Sequence, residues 1–452
     1  MLYRAALENL KNWYHESRRK PLVLRGARQV GKTTLIHMFC QANNLKILEI
    51  NLELDRELRP SFLKMDPQQI IQDVELYKAV KIDKNTLLFI DEIQMVPEAL
   101  QGLRYFYEKM SDVAVIAAGS LLEFTLSEHQ FSMPVGRVEY LFIHPMSFRE
   151  FLIAKKEKAL QKTFDEFDWK KNISPLHHKK LLETYFEYLI VGGMPEAVDV
   201  FCQSKNLEKV KAVHRTIVLN YANDFSKYAG RIPVSRLERI FSYVPMHIGS
   251  KTKYSKIDPN EQAKSLRLGF DLLEKAGVLQ RVYHTDASGI PIKVGVSENI
   301  FKTIFLDVGL VSYYLGFSYQ DILEIYQKNQ NDLILLHKGI VSEQFIGQQL
   351  MAANMNEKQE LYYWLRDGKS NNAELDYVLQ KGLQIVPVEV KFGKTGSLKS
   401  LIQFVKERKP KQAIKFTTSE PKQELRNIEG TKLKIHHLPL YLGERILDFI
   451  ER

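Results

Sequence analysis

Between Leu24 and Leu35 the chain reads Leu-Arg-Gly-Ala-Arg-Gln-Val-Gly-Lys-Thr-Thr-Leu, and the two glycines ahead of Lys32 leave few folds open. Gly26 and Gly31 let the backbone turn tightly with no Cβ in the way, so successive N–H groups face one point at the start of a helix. Such a cluster of dipoles at a helix N-terminus holds phosphate charge. Lys32 is then expected on the β and γ oxygens of a triphosphate, and the Thr33 hydroxyl on Mg²⁺. Gly26, Ala27, Arg28, Gln29, Val30, Gly31, Lys32, Thr33 and Thr34 are the expected contacts, with ATP and Mg²⁺ as the ligands. The flanks agree: Pro21 to Leu24 reads as a buried strand and Thr33 to Cys40 as a helix.

Two further apolar runs place acids and a polar group beside that loop. Thr86-Leu-Leu-Phe-Ile-Asp-Glu92 reads as a strand of a parallel sheet covered on both faces, its acids emerging at the carboxyl end where ligands sit. Asp91 is expected in the Mg²⁺ shell and Glu92 as the base that orients and deprotonates water. Val113 to Ser120 reads as the next strand, with Ser120 either a sensor of the γ-phosphate or a turn or helix cap. Arg137 either lends charge to the transition state, in cis or across a subunit interface, or is a structural surface residue.

A length of 452 residues predicts two to four domains, and a net charge of +10 leans toward polyanion partners or a solvated basic surface. Cys40 and Cys202 are the two cysteines, which excludes a disulfide framework and fits a reducing, cytoplasmic setting. No run reaches the ~18 to 20 apolar residues of a membrane span, so a soluble protein with no membrane partner is expected. The pairs His177-His178 and His436-His437 chelate poorly because adjacent side chains of a strand point apart.

In the middle of the chain, Pro145 to Lys158 reads as a helix, Thr163 to Ser174 as a polar boundary, and Gly192-Gly193 and Pro195 as helix punctuation. From Arg236 the pattern is helix, polar stretch, a second helix capped by Asp258 with Pro259 at its first position and running to Gly277, then strands Val278 to His284 and Ile292 to Val296. Two helices and a hairpin form a winged-helix pattern, and Lys251, Lys253, Lys256, Lys264 and Arg267 put positive charge near the reading element. DNA is the expected partner; winged helices also serve as lids and protein docks.

After a junction at Asn329 to Lys338, Gly339 to Asn354 reads as a helix bearing Glu343, followed by strands Leu361 to Arg366, Ala373 to Leu379 and Gln384 to Phe392. Alternation puts Glu389 and Lys391 on one face and Val388 and Val390 on the other. A hairpin partner bearing Asp376 brings its carboxylate beside Glu389. Two carboxylates at close range call for a hard divalent ion such as Mg²⁺ or Mn²⁺, with Lys391 beside them to orient water or stabilise a phosphorane. Charges alternating along a strand also describe an ordinary solvated face, and the basic region from Lys391 to Lys422 either lines a phosphate track or is solvated.

Taken together, Gly26-Ala-Arg-Gln-Val-Gly-Lys-Thr33, Asn51-Leu-Glu53, Asp91-Glu92, Gly119-Ser120, Gly136-Arg137 and Pro145-Met-Ser-Phe-Arg-Glu150 resemble prokaryotic AAA+ type ATPases, many of which carry a restriction-endonuclease-like C-terminal domain. The resemblance implies an α/β fold with a P-loop NTPase parallel sheet over 1–150, a helical lid over 151–230 and a nuclease-like domain over 326–452, and the pattern of helices and hairpin places a winged-helix segment between them over 231–325. The resemblance also implies Lys32 and Thr33 as nucleotide contacts, Asp91 and Glu92 as hydrolytic carboxylates and Ser120 as sensor. The C-terminal residues are similar to the PD-(D/E)XK nuclease superfamily, which implies Glu343, Asp376 and Glu389 as metal ligands, Lys391 as catalytic lysine and Gln403 as a further contact; Leu375 stands where that motif has proline. The expected function is an ATPase coupled to a DNA-binding, metal-dependent nuclease-like domain. The alternative is a nucleotide-controlled switch or scaffold whose nuclease-fold domain does not cleave. A homo-oligomer or a protein partner is open under either.

Overall fold

The computed structural model describes residues 2–119, 136–228, 232–327, 332–366, 373–393 and 398–451. Its first unit is a five-stranded parallel sheet in the order β2-β3-β4-β1-β5, made of Leu22–Arg25 (β1), Lys46–Asn51 (β2), Thr86–Asp91 (β3), Ala114–Ala118 (β4) and Glu139–Phe142 (β5). Alternate residues feed opposite cores. Val23, Ile50, Leu88, Ile90 and Val115 face one apolar cluster, while Leu24, Leu87, Phe89 and Ile116 face the other, as a sheet covered on both sides requires.

Helices Ala6–Tyr14 (α1) and Lys32–Ala42 (α2) pack on one side; Arg59–Leu63 (α3), Pro67–Lys78 (α4) and Pro97–Lys109 (α5) contribute to the other. The edge of β5 is covered, its Phe142 N–H donating 2.7 Å to the carbonyl of Met355. That pairing blunts an otherwise exposed strand edge.

The following segment is helical: Phe148–Ala154 (α6), Lys158–Glu166 (α7), Pro175–Val191 (α8), Pro195–Ser204 (α9) and Leu207–Asp224 (α10). The single helix expected over 145–158 is two, because Lys156 takes a left-handed turn at φ 61°. The stretch 163–174, expected as a polar boundary, also carries core residues. Phe164, Phe167 and Ile173 are buried, with Phe167 5.5 Å from Phe449 and Trp169 5.3 Å from His436.

Helices Val234–Met246 (α11), Tyr254–Ile257 (α12) and Ala263–Lys275 (α13) then precede an antiparallel hairpin of Leu279–Thr285 (β6) and Val296–Phe305 (β7). The expected cap at Asp258 is corrected: α13 starts after Gln262, and Asp258 is buried, ion-paired with Arg239 and accepting the Asn260 N–H. A buried carboxylate needs such partners more than a helix end needs that cap. The strand expected over 292–296 is a 3₁₀ turn at Ile292–Gly295 leading into β7.

Helices Val308–Tyr314 (α14), Tyr319–Gln327 (α15) and Asp332–Ala352 (α16) lead to Leu361–Leu365 (β8), Glu374–Leu375 (β9), Tyr377–Lys381 (β10) and Gln384–Val390 (β11). Lys399–Arg408 (α17), Gln412–Thr417 (β12), Lys422–Ile428 (β13) and Thr431–Pro439 (β14) complete the described chain before a final 3₁₀ segment, Leu440–Phe449. One sheet runs β10-β11-β12-β14-β13. The other runs β7-β6-β8-β9, so the hairpin of the middle segment shares a sheet with the C-terminal strands.

One apolar cluster extends from Ala6 to Ile450 and includes residues of α16, a second fills the other face of the parallel sheet, and a third lies within Ala287 to Ile435. The polar residues of α16 are spent on other segments. Gln344 both accepts from the Phe305 N–H and donates to the Phe305 carbonyl, each at 2.7 Å, and Gln349 accepts from the Phe148 N–H at 2.9 Å. Gln348 accepts the Val308 N–H at 2.8 Å and donates to Asp307 at 3.0 Å and Tyr188 at 3.1 Å. Asp307 in turn accepts from the N–H groups of Gly193 and Gly309.

Asp307→Ala strands those buried donors and is expected to lower stability by about 3 kcal/mol, read from urea midpoints, against a change within about 0.5 kcal/mol for the exposed Leu425→Ala. Burial lifts the Asp307 carboxyl from 3.8 to about 6, despite its hydrogen bonds. A raised folded-state value contributes stability that is present below pH 4 and lost as pH rises through 6, so wild type gains more than the Ala variant on going from pH 7 to pH 5.

Candidate functional site

The phosphate loop leaves β1 at Gly26, whose φ of 143° and 2.1 Å approach of a built Cβ to the Ile143 carbonyl admit no other residue. Gly31, at φ 86°, caps α2. Lys32 folds into the loop, its ammonium donating to the carbonyls of Gly26 at 2.9 Å and Ala27 at 2.8 Å. Burial pushes this group down from 10.5 to about 8, against the attraction of Glu92 and Asp91. The Thr33 hydroxyl donates 3.0 Å to Asp91, which itself accepts the Glu92 N–H at 3.0 Å. Burial raises the Asp91 carboxyl, and the Thr33 bond opposes that rise.

A hydroxyl and a carboxylate joined at this distance, beside an ammonium and a ring of amides, fit a magnesium-bound polyphosphate. Thr33 and Asp91 are the residues that would hold the ion, which supplies charge neutralisation for the phosphate oxygens. Glu92 follows at φ 51°, a left-handed conformation unusual for a glutamate, and takes a hydrogen bond from Gln94. Thr34 is exposed on the first turn of α2. Ala27 and Val30 turn their side chains into the core, so only their backbones can face a phosphate.

Several residues outside the motif hold the loop in place. Arg4 donates 2.7 Å to the Val30 carbonyl, Tyr221 donates 2.7 Å to the Arg28 carbonyl, and the Arg28 guanidinium pairs with Asp224. Gly277, at φ 72°, lies against Ala27, where a Cβ would come within 3.1 Å of its nitrogen. None of these partners carries a local signal, since each is brought in from a distant part of the chain.

Ser120 lies outside the described residues. Arg137 requires a correction. Parallel pairing sets Leu22 against Glu139 and Arg25 against Phe142, so Arg137 lies at the end of the sheet opposite the loop. At least about 10 Å of strand intervenes. It pairs with Glu108 at 3.1 Å on the surface and cannot serve its own loop in cis.

The C-terminal residues form a second polar group. Tyr377 pairs with Val388 in the β10–β11 register, which sets Asp376 beside Glu389, and Asp376 accepts the Val390 N–H at 2.6 Å. Glu389 is 2% exposed; one of its oxygens meets Lys391 at 2.6 Å, and Oε2 is buried with no hydrogen bond among the described residues. Burial and then Asp376 push its carboxyl upward.

The expected three-carboxylate set is not assembled. Among the described residues no group of three or more His, Cys, Asp or Glu side chains is placed to hold a metal ion. Glu343 turns instead to Lys302 at 2.6 Å, and Lys302 also meets Glu374 at 3.0 Å. Burial alone would lower the Lys302 ammonium, but Glu343, Glu374 and Asp376 together hold it above its ordinary value. Gln403, the other expected contact, donates to Glu407 along its own helix. Sequence reading missed Lys302, although a lysine inside the apolar run Ile300-Phe-Lys-Thr-Ile-Phe305 was a visible anomaly.

With this geometry in hand, comparison with known proteins decides the first unit: residues 18–152 match the AAA domain family. This part of the chain is an ATPase-like AAA domain. Residues 182–321 and 338–440 match two domains of unknown function, DUF8612 and DUF4143. The chain is similar to an uncharacterized protein of Methanocaldococcus jannaschii, 25% identical over 42% of this chain, and spans 41% of that protein's length. It is also similar to an uncharacterized protein of Haemophilus influenzae, 24% identical over 82% of each.

Among solved structures, similarity extends to the Walker-type ATPase of Pyrococcus abyssi, at 14% identity over 70% of this chain and 96% of that one, TM-score 0.45. The Aeropyrum pernix ORC2 protein is similar at 10% identity over 71% and 95%, TM-score 0.36. No helix among the described residues is long and apolar enough to cross a membrane.

If Lys32 meets a nucleotide's phosphates, its lowered value predicts a pH limit on affinity. Phosphate requires charged Lys32, so affinity is expected to fall by about tenfold per pH unit above the group's value near 8, with proton uptake in calorimetric titrations. Lys32→Ala should bind about 100-fold more weakly and lose that dependence.

Proposed function

We propose that the AAA domain binds ATP with Mg²⁺ and hydrolyses it, and that the middle segment and the C-terminal unit engage DNA. The observation that carries the first half is the 3.0 Å contact between the Thr33 hydroxyl and Asp91 beside the Lys32 ammonium. In this reading Lys32 neutralises the β and γ oxygens, and Thr33 and Asp91 hold the ion. Glu92, one residue beyond Asp91, accepts a proton from the attacking water. Gln94, hydrogen-bonded to that carboxylate, keeps it aimed. In this reading Arg137, at the far end of the sheet, serves only the loop of a second copy.

DNA contact is supported by exposed Lys251, Lys253, Lys256, Lys264 and Arg267, which cluster on α12, α13 and the loop before them, ahead of the β6–β7 hairpin. This order of helices and hairpin fits a winged helix. Nuclease-like chemistry is supported by Asp376, Glu389 and Lys391 on neighbouring strands, with a buried carboxylate oxygen still to be satisfied. A divalent ion there, Mg²⁺ or Mn²⁺, would neutralise the phosphodiester and the departing oxygen. The competing reading is a nucleotide-controlled switch with a non-cleaving C-terminal unit. It is favoured by the pairing of Glu343 with Lys302, which takes that carboxylate away from the other two.

Glu92→Gln is expected to lower ATP turnover by about 10² to 10⁴ while nucleotide binding persists. Retention of wild-type turnover would remove Glu92 as the base. Incubation of linear, branched and circular DNA with Mg²⁺ or Mn²⁺ separates the two readings: cleavage that disappears in Glu389→Gln supports the nuclease, and no cleavage with ATP turnover intact supports the switch.

A further inference from the structure

We infer that Lys302 is the resident cation of the C-terminal acidic group: it withdraws Glu343 from any metal and leaves Asp376 and Glu389 as a two-carboxylate seat for one divalent ion. The inference rests on the reading of that group as a cation site.

Glu343 is held from two sides. One carboxylate oxygen lies 2.6 Å from the Lys302 ammonium, and the other packs against Gly249, where a Cβ would come within 2.6 Å of it. Gly249 has φ 74°, so the backbone there is fixed in a form that favours glycine. Lys302 is itself fully buried, and its second partner is Glu374. A buried ammonium with two carboxylates and a carbonyl, that of Asp376 at 3.5 Å, already has the coordination a metal would otherwise provide.

The other half of the group is different. Asp376 and Glu389 sit side by side in the antiparallel register, and Glu389 Oε2 is buried with nothing to accept among the described residues. Lys391 takes the other Glu389 oxygen, and Lys415, on the neighbouring strand, borders Glu389. Lysines therefore ring the seat without filling it. An unsatisfied buried carboxylate oxygen beside a second carboxylate is a place for a hard cation, and ammonium groups at its margin limit it to one.

The ammonium comes from another part of the chain. Lys302 belongs to the region matched by DUF8612, whereas Glu343, Glu374, Asp376 and Glu389 belong to that matched by DUF4143. The seat is thus completed across the β6–β8 junction, and the carboxylates alone would be overcharged.

The test is Mn²⁺ binding to the full chain without nucleotide, followed by the paramagnetic resonance of free Mn²⁺, with ATP turnover as the check that each variant folds. Wild type is expected to bind one Mn²⁺, Glu389→Gln and Asp376→Asn to weaken it by about tenfold or more, and Glu343→Gln to leave it unchanged. Lys302→Met should admit a second ion. Equal loss in Glu343→Gln and Glu389→Gln would overturn the inference, as would a wild type that binds no Mn²⁺ at millimolar concentration or a folded Lys302→Met with the wild-type isotherm. Should Lys302→Met fail to fold, the contrast between Glu343→Gln and Glu389→Gln decides. Absent DNA cleavage with the expected Mn²⁺ isotherms would sink the nuclease reading and leave the seat standing.

Discussion

A polar helix face can run through an apolar core only if every donor and acceptor on it is met from inside, and α16 is the place where this chain meets that constraint. Gln344, Gln348 and Gln349 are buried, and each bonds to a segment far away in sequence: Phe305, Val308 with Asp307 and Tyr188, and Phe148. Because an unmet amide in such a setting costs about 1 to 3 kcal/mol, these bonds dictate register as well as adding stability. They tie the edge of the AAA domain, the helical segment and the β6–β7 hairpin to one helix. The apolar cluster that runs from Ala6 to Ile450 is the consequence.

Both candidate sites sit where that shared core meets a strand end. At the first, Arg4 from α1, Tyr221 and Asp224 from α10, and Gly277 beyond α13 all press on a loop of a few residues. Any shift of the phosphate loop is therefore felt by the helical segment and by the turn that starts the hairpin. At the second, β7 of the same hairpin delivers Lys302 to the acidic group. The turn at Gly277 that touches the phosphate loop leads into β6, which pairs with β7, so one hairpin borders both sites.

Much of this was legible in the residues because it is local. The phosphate loop, the strand ending in Asp91, the helix stop at Gly192 and the helix start at Pro195 all follow from Cβ sterics, proline geometry and strand alternation over a few positions. Errors came where a polar residue found a distant partner. Asp258 looked like a cap because nothing nearby reveals Arg239, and the 163–174 stretch looked like a polar boundary because its few aromatics pack on the distant Phe449 and His436. Arg137 in cis fails for another reason: the pairing of β5 with β1 decides which end of the sheet it occupies, and the surface alternative agrees with its pair to Glu108.

The sequence by itself determined that nucleotide phosphates have a place to bind, since two glycines, a lysine and a threonine at fixed spacing constrain the backbone within a single turn. It also determined that Asp376 and Glu389 would lie together, because a short hairpin has one register that keeps Val388 and Val390 inside. Only the tertiary structure decided which carboxylates remain available there. Lys302 reaches Glu343 across a sheet that joins segments dozens of residues apart, and the pairing of buried charges depends on distance in space, which no local pattern encodes.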